Sequence, residues 1–236
     1  MRPEIDPMDL ALLSQCSLFA AIAPSALAPF LQAGRRQRLE AKDSAITRGD
    51  PGRNIYFLLD GGVKVSTLSR DGKEIIFDVL VSGDFFGEMS LFDDKPRTGT
   101  VTALVPTTVF ALGKAEFLTL IEKHPPVSLR LIRTLVRRLR LMDAFIEDVL
   151  FLDAEERLAR RVLALSRLFG RHGDNGEIRI ELKVSQQELA NLVGVTRESV
   201  NKQFRDWEKS GLIAIDKGCL VLAKPGHLES MAARPS

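Results

Sequence analysis

At 236 residues the chain has room for one large domain or two modest ones, each able to bury a core. Its 45% hydrophobic and 27% charged residues are those of an ordinary soluble globular protein, and no apolar run reaches membrane-spanning length. The two cysteines, Cys16 and Cys219, match no metal or disulfide spacing, which argues against a disulfide scaffold or a cysteine-ligated cluster. The start, MRPEIDPMDLALL, lacks the basic-then-apolar order of a secretory signal, so a cytoplasmic protein without a membrane partner is expected.

Residues 8 to 33 read as short helical pieces with apolar positions at Leu10, Leu13, Leu18 and Phe19, broken by Pro24 and Pro29. From about 38 to 112, short apolar runs (Ile55 to Leu59, Val63 to Val65, Ile75 to Phe77, Thr107 to Phe110) are separated by turn residues. Asp60-Gly61-Gly62 and Arg70-Asp71-Gly72 are hairpin signals, because glycine accepts the positive backbone angle of such turns. Glycines repeatedly 9 to 11 apart between positions 49 and 87 point to an antiparallel roll or barrel.

Within that region the run Phe86 to Gly99, FGEMSLFDDKPRTG, has the parts of a site for a small phosphorylated ligand. Gly87 lets backbone N–H groups approach an anion. Glu88, ionised, only accepts hydrogen bonds, which suits a ribose hydroxyl. Arg97 offers a fork of donors matched to phosphate oxygens, and Thr98 adds a hydroxyl. The plainer reading of the same residues is a turn with a surface Glu88–Arg97 ion pair.

The run resembles the phosphate-binding cassette of cyclic-nucleotide-binding domains, whose pattern is Phe-Gly-Glu, apolar, small, Leu, then Pro-Arg, small polar, Ala. It departs at the small positions, Ser90 and Gly99. The resemblance implies that Glu88 holds the ribose, that Arg97 and Thr98 hold the cyclic phosphate, and that Gly87, Met89 and Ser90 line the site.

His124-Pro125-Pro126 stops any helix arriving from Glu116, since proline lacks a donor and crowds the preceding turn. A long helix is expected from Val127 to Val149. Ser128, Ile132, Leu135, Leu139, Met142, Ile146 and Val149 follow the 3.5-residue period of a coiled-coil seam. Leu131, Leu141 and Phe145 form a second apolar flank, so that one face packs on the roll and the other on a partner helix in a homodimer; an intramolecular core helix is the alternative.

After a hinge at Phe151-Leu152-Asp153, a helix is predicted from Ala154 to Phe169, then a loop from Arg171 to Gly176 and a strand from Ile178 to Leu182. Net charge splits slightly at Asp153, with 19 basic and 20 acidic residues up to it and 14 and 11 beyond, a lean too weak to argue for DNA by itself. The motif is stronger. Ser185 with Glu188 is a capping-box helix start, and Leu189, Ala190 and Val193 make a buried stripe. Gly194 permits a tight turn, and Thr196 caps a second helix that buries Val200, Phe204 and Trp207 and turns Arg197, Glu198, Asn201 and Lys202 outward. Beyond Ile213, two short apolar segments flank Asp216-Lys217-Gly218 like a β-hairpin wing. A plain helical hairpin is the competing reading.

This motif is similar to the helix-turn-helix of Crp–Fnr bacterial transcription regulators, and with the cassette and long helix the resemblance covers nearly the whole chain. It implies an α+β fold: a β-roll with flanking helices over 1–126, a dimerisation helix and hinge over 127–153, and a winged helix-turn-helix over 154–236. It also implies that Arg197, Glu198 and Lys202 read bases, while Ser185 and Gln187, with the cap Thr196, meet the DNA backbone. The family has arginine where Lys202 stands, and lysine lacks that rigid fork. Arg138 matches a family arginine near the ligand. Met142 and Asp143 stand where a threonine and a serine contact adenine, and Asp143 can accept from a guanine edge.

The implied function is a homodimeric, cyclic-nucleotide-responsive transcription regulator with cAMP as favoured effector and cGMP as alternative, binding an inverted repeat in double-stranded DNA and working with RNA polymerase. The competing class is a regulator of the same fold with another effector or none. An enzyme is not expected: His124, His172 and His227 are read in loops or near a terminus, with no nucleophile or metal pattern around them.

Overall fold

The computed structural model describes residues 7–20 and 22–233. The chain forms two units, residues 1–67 with 77–140 and residues 68–76 with 141–236.

In the first unit α1 (Pro7–Gln15) and α2 (Pro24–Ala33) precede the roll. Pro24 opens α2, where its missing N–H costs nothing. Pro29, expected as a break, lies inside the same helix; Leu27 and Leu31 are buried, and their packing holds the turn despite one lost hydrogen bond. The strands are β1 (Arg35–Leu39), β2 (Ser44–Ile46), β3 (Asn54–Asp60), β4 (Gly62–Leu68), β5 (Glu74–Val81), β6 (Phe85–Phe86), β7 (Thr100–Ala103) and β8 (Thr107–Gly113). The short helix α3 (Met89–Phe92) interrupts them, and α4 (Lys114–Lys123) follows. They form two sheets, in the orders β1-β8-β3-β6 and β2-β7-β4-β5.

The first sheet is covered on both faces, which explains why Ile55 to Leu59 is an unbroken apolar run rather than an alternating one. Ile55, Phe57 and Leu59 join one core with α1, α2, α4 and the start of the long helix. Tyr56 and Leu58 point the other way, into a core with Leu80, Val101 and Val63 from the second sheet. A fully buried side chain such as Phe57 contributes about 1.5–3 kcal/mol.

The two turn signals resolve differently. Arg70-Asp71-Gly72 joins neighbouring strands β4 and β5, a hairpin as expected. Asp60-Gly61-Gly62 joins strands of different sheets and is a corner, not a hairpin. Gly61 has φ +91, and a Cβ there would lie 2.5 Å from the Thr107 hydroxyl. That buried hydroxyl donates to the Gly62 carbonyl at 3.1 Å and accepts from the Gly62 N–H at 3.2 Å, pinning the corner.

The long helix α5 runs Pro125–Phe151, two residues longer at each end than its sequence pattern. Val127 and Leu131 are buried in the roll-side core and Leu135 packs against it. The exposed apolar stripe is Leu129, Ile132, Val136, Leu139, Ile146 and Leu150. This stripe shares Ile132, Leu139 and Ile146 with the expected seam, whose Val149 is exposed as well. Ser128, Leu135 and Met142 are instead half-buried, and Asp143 occupies a position in the stripe. Of the expected second flank, Leu131 is buried but Leu141 is exposed.

In the second unit α6 (Ala154–Phe169) starts at a complete capping box. Asp153 accepts from the Glu156 N–H at 2.9 Å, and Glu156 accepts from the Asp153 N–H at 3.2 Å. Then come β9 (Gly170–His172), β10 (Ile178–Ile180), α7 (Gln186–Val193), α8 (Arg197–Lys209), β11 (Ile213–Asp216), β12 (Cys219–Leu222) and α9 (Pro225–Ala232). The sheet order is β11-β12-β10-β9, so the wing hairpin extends into a four-stranded sheet. Arg171 and His172, expected in a loop, pair with Arg179 and Ile178.

Candidate functional site

The cassette residues converge around one buried arginine. β6 pairs Phe86 with Tyr56, whose rings stack at 5.2 Å, and the chain then turns at Gly87 with φ +85. A Cβ at Gly87 would lie 2.9 Å from Arg97 Nη1 and 3.2 Å from the Asn54 carbonyl oxygen, so the position is closed to any side chain. Arg97 is 6% exposed. Its Nη1 donates to the Gly87 carbonyl at 2.5 Å and its Nη2 to the Asn54 carbonyl at 2.6 Å. Its backbone is clamped as well: the Arg97 N–H donates to the Asp50 carbonyl, and the Gly49 N–H to the Arg97 carbonyl, each at 2.9 Å. Burial lowers the arginine's pKa from its ordinary value, against the pull of Tyr56, Glu88 and Asp50. Among the described residues no carboxylate forms an ion pair with it. A guanidinium held by two neutral carbonyls in a buried place is a cation short of an anion.

Glu88 is buried too, and it pairs not with Arg97 but with Arg138 of α5. Arg138 Nη1 donates to Glu88 Oε1 at 2.9 Å, its Nη2 donates to the Phe85 carbonyl, and its guanidinium sits 4.8 Å from the Phe85 ring centroid. The surface Glu88–Arg97 pair of the plainer reading is therefore absent. Ser90 is buried against Gly52, where a Cβ would fall 2.0 Å from the serine's own; Met89 is exposed, and the exposed Thr98 hydroxyl donates to its sulfur at 3.8 Å. Thus Gly87, Glu88, Met89, Ser90, Arg97, Thr98 and Arg138 lie in the first unit as one constellation. Met142 and Asp143 lie further along α5, in the second unit. One participant escapes sequence reasoning: the Asn54 carbonyl, which has no side-chain signature.

In the second unit the helix pair forms as its caps dictate. Ser185 accepts from the Glu188 N–H at 3.2 Å, and Glu188 accepts from the Ser185 N–H at 2.9 Å. Gly194 ends α7 in the left-handed region at φ +75. Thr196 accepts from the Ser199 N–H at 3.2 Å to start α8. Leu189, Ala190, Val193, Val200, Phe204 and Trp207 are buried, leaving Arg197, Glu198 and Lys202 exposed on the first turns of α8. The Glu198 carboxyl is held below its usual range by its own backbone N–H, then by Thr196 and Arg197, so it remains an ionised acceptor. Gln187 is exposed on α7, its amide donating to Asn191 at 2.9 Å. An indole anchor sets the frame: Trp207 Nε1 and Gln203 Nε2 both donate to Glu155 Oε1, at 3.0 and 2.8 Å. The wing turn places Lys217 and Gly218 at φ +50 and +79, two consecutive positive angles as a tight hairpin of this hand requires.

The histidines occupy a helix cap (His124), strand β9 (His172) and the C-terminal helix α9 (His227), a correction to the loop expected for His172. Among the described residues no three His, Cys, Asp or Glu side chains group as a metal site, and no helix is long and apolar enough to cross a membrane.

A buried arginine with no paired carboxylate among the described residues, and a helix pair presenting charged side chains from a capped second helix, are the two constellations the chain builds. Comparison with known proteins gives the class. Residues 36–124 match the cyclic nucleotide-binding domain and residues 156–231 the Crp-like helix-turn-helix domain. A CRP-like cAMP-activated global transcriptional regulator of Mycobacterium tuberculosis is 29% identical over 221 residues, covering 94% of this chain and 98% of that one. The cAMP-activated global transcriptional regulator Vfr of Pseudomonas aeruginosa is 31% identical over 193 residues, covering 79% and 88%. A CRP-family transcriptional regulator of Thermus thermophilus shares the fold with a TM-score of 0.73 and 29% identity, covering 84% of this chain and 97% of that structure. The chain belongs to the CRP/FNR family, whose members are transcription regulators and not enzymes.

Proposed function

We propose that this protein is a homodimeric transcription regulator whose DNA affinity is set by a cyclic nucleotide, cAMP in the first place. The reading divides the chain into a nucleotide-binding part over 1–126, a dimerising and signalling part over 127–153 and a DNA-binding part over 154–236. One observation carries it: the buried Arg97 guanidinium has carbonyl partners but, among the described residues, no paired carboxylate. A cyclic phosphate supplies the missing charge, with the Gly87 backbone and the Thr98 hydroxyl beside it. Glu88 accepts from the ribose 2′-hydroxyl, Arg138 steadies Glu88, and Met142 and Asp143 face the base. The relatives described as cAMP-activated support adenine over guanine. The exposed stripe on α5 supports pairing with a second copy of the helix, because a 3.5-residue apolar period fits another helix of the same kind. Ser185, Gln187 and Thr196 then meet DNA phosphates while Arg197, Glu198 and Lys202 read bases. RNA polymerase is the third partner in this reading, and the bacterial cytoplasm its setting.

Isothermal titration of the pure protein with cAMP and cGMP tests the pocket. Arg97→Ala removes the phosphate's buried counter-charge and should cost on the order of 2–5 kcal/mol of binding. Affinities of wild type and variant within threefold of each other contradict the assignment. A second reading has its own support: Glu88 and Arg138 already satisfy one another. Under it the cassette is self-contained and DNA binding needs no ligand, and the wild type gives no heat with either nucleotide.

A further inference from the structure

We infer that three arginines of α6, Arg157, Arg160 and Arg161, clasp the last turns of α5, and that this clasp carries a movement of α5 to the DNA-reading helices; this rests on the nucleotide-controlled reading above. The boundary between the two units falls inside α5, between Arg140 and Leu141. It does not fall at Phe151-Leu152-Asp153, where the sequence suggests a hinge. The last turns of α5 therefore belong with the second unit.

Contacts from one face of α6 hold them there. Arg160 Nη1 donates to Asp148 Oδ1, an ion pair whose carboxylate side chain is only 13% exposed. Arg157 Nη1 donates to the Val149 carbonyl at 3.1 Å. The Arg161 guanidinium sits 4.9 Å from the Phe145 ring centroid. Steps of three and four residues make these arginines neighbours on the helix surface.

Helix ends explain why arginines are placed there. The last carbonyls of a helix lack intrahelical partners and carry partial negative charge, which a nearby cation offsets. Neither α5 nor α9 has a basic residue in its last turn. α6 supplies both cations: Arg157 meets the Val149 carbonyl at the end of α5, and Arg160 Nε donates to the Ala232 carbonyl at the end of α9, at 2.8 Å. Arg160 thereby ties α5 and α9 to α6. Arg157 is the lesser member, since its Nε is buried with no partner among the described residues.

The joint is short and its groups are committed. The Leu152 N–H donates to the Asp148 carbonyl at 3.1 Å, continuing the pattern of α5, and Asp153 at once opens α6 through the capping box. Removing one partner of the Asp148–Arg160 pair would strand the other charge in a partly buried place. Asp148 and Arg160 are thus positioning residues. In this reading they touch neither nucleotide nor DNA, and they act by keeping the end of α5 and the DNA-reading helices one body.

Fluorescence-anisotropy titration of a palindromic duplex selected by the wild type, with and without saturating cAMP, reads the coupling. The wild type should gain about five- to 150-fold in DNA affinity on binding cAMP. Asp148→Ala, which leaves the Arg160 bond to Ala232 in place, should cut that gain at least threefold by weakening the cAMP-bound complex, with ligand-free DNA affinity held within twofold. Arg160→Ala should do the same, and adding Asp148→Ala to it should cost little more. Asp148→Glu should retain most of the gain, and Asp148→Asn, milder on folding, should lose part of it. Calorimetric cAMP affinity without DNA should stay within threefold of wild type throughout. If the wild type responds to cAMP and both alanine variants respond as strongly, the clasp is merely structural, however far their melting temperatures fall, and this inference alone is overturned. It is overturned equally if either variant without cAMP binds DNA as tightly as wild type does with it, because the clasp is then a lock on the inactive form. A wild type whose DNA affinity ignores cAMP removes the parent reading and this one with it.

Discussion

Two arginines meet the cassette and do different things. Arg97 enters from within the run and is fixed at both ends, its backbone by the loop at Gly49 and Asp50 and its fork by Gly87 and Asn54. Arg138 arrives from α5 and takes the carboxylate a sequence reader would give to Arg97. The difference rests on Gly87: a Cβ there would press on the Arg97 fork at 2.9 Å, and φ +85 is a conformation that L residues adopt at roughly 1–2 kcal/mol. Gly87→Ala should therefore destabilise the protein by about that strain and weaken nucleotide binding beyond what lost stability explains, because the alanine methyl displaces the guanidinium. Thermal melts and calorimetric titration on the same variant separate the two effects. A variant with wild-type affinity removes Gly87 from the site.

Helices and strands are legible in the sequence where their signals are chemical, and obscure where only tertiary contact decides. The caps at Ser185 and Thr196, the left-handed Gly194 and the proline stop before α5 all act within a few residues, and the local sequence carries them. The turn at Gly61 looks like a hairpin because a sheet corner needs the same positive angle; the Thr107 hydroxyl that makes it a corner lies 45 residues on. β9 escapes because an exposed edge strand with polar side chains shows no alternation. The seam read from the sequence of α5 lies one register away from the exposed apolar stripe. A stripe at steps of three and four admits two neighbouring registers that share Ile132, Leu139 and Ile146, and only the roll, by covering Leu135, chooses between them. Ile146 belongs to both, which makes it the decisive position. Ile146→Glu should place a charge in the helix pair and weaken the homodimer by ~3 kcal/mol, about a hundredfold in dissociation constant. Sedimentation equilibrium reads this directly, and a variant still dimeric at micromolar concentration counts against α5 as the dimer seam.

At the scale of the molecule, α5 begins in the first unit and ends in the second, which makes it the signalling element of the proposed reading. Allosteric couplings between such sites are typically about 1–3 kcal/mol, a five- to 150-fold change in affinity. The chain's net charge is only +2, and α8 itself carries Arg197, Lys202, Arg205 and Lys209 beside Glu198, Asp206 and Glu208. A twofold dimer offers two copies of α8, and DNA of matching symmetry is an inverted repeat with half-site centres about 34–36 Å apart, one helical turn. Arg197 has the donor fork to grip a guanine through both major-groove acceptors, and Glu198, ionised beside it, can accept from a cytosine amino group. A good bidentate contact contributes about 1–3 kcal/mol of base discrimination. Arg197→Ala should then relax preference at one symmetric pair of positions, while Gln187→Ala, which touches phosphate in this reading, should weaken all sequences alike. Selection from random duplexes in the presence of cAMP distinguishes the two. A wild type that enriches no palindrome, or an Arg197→Ala that keeps every base preference, removes α8 from the role of reading helix.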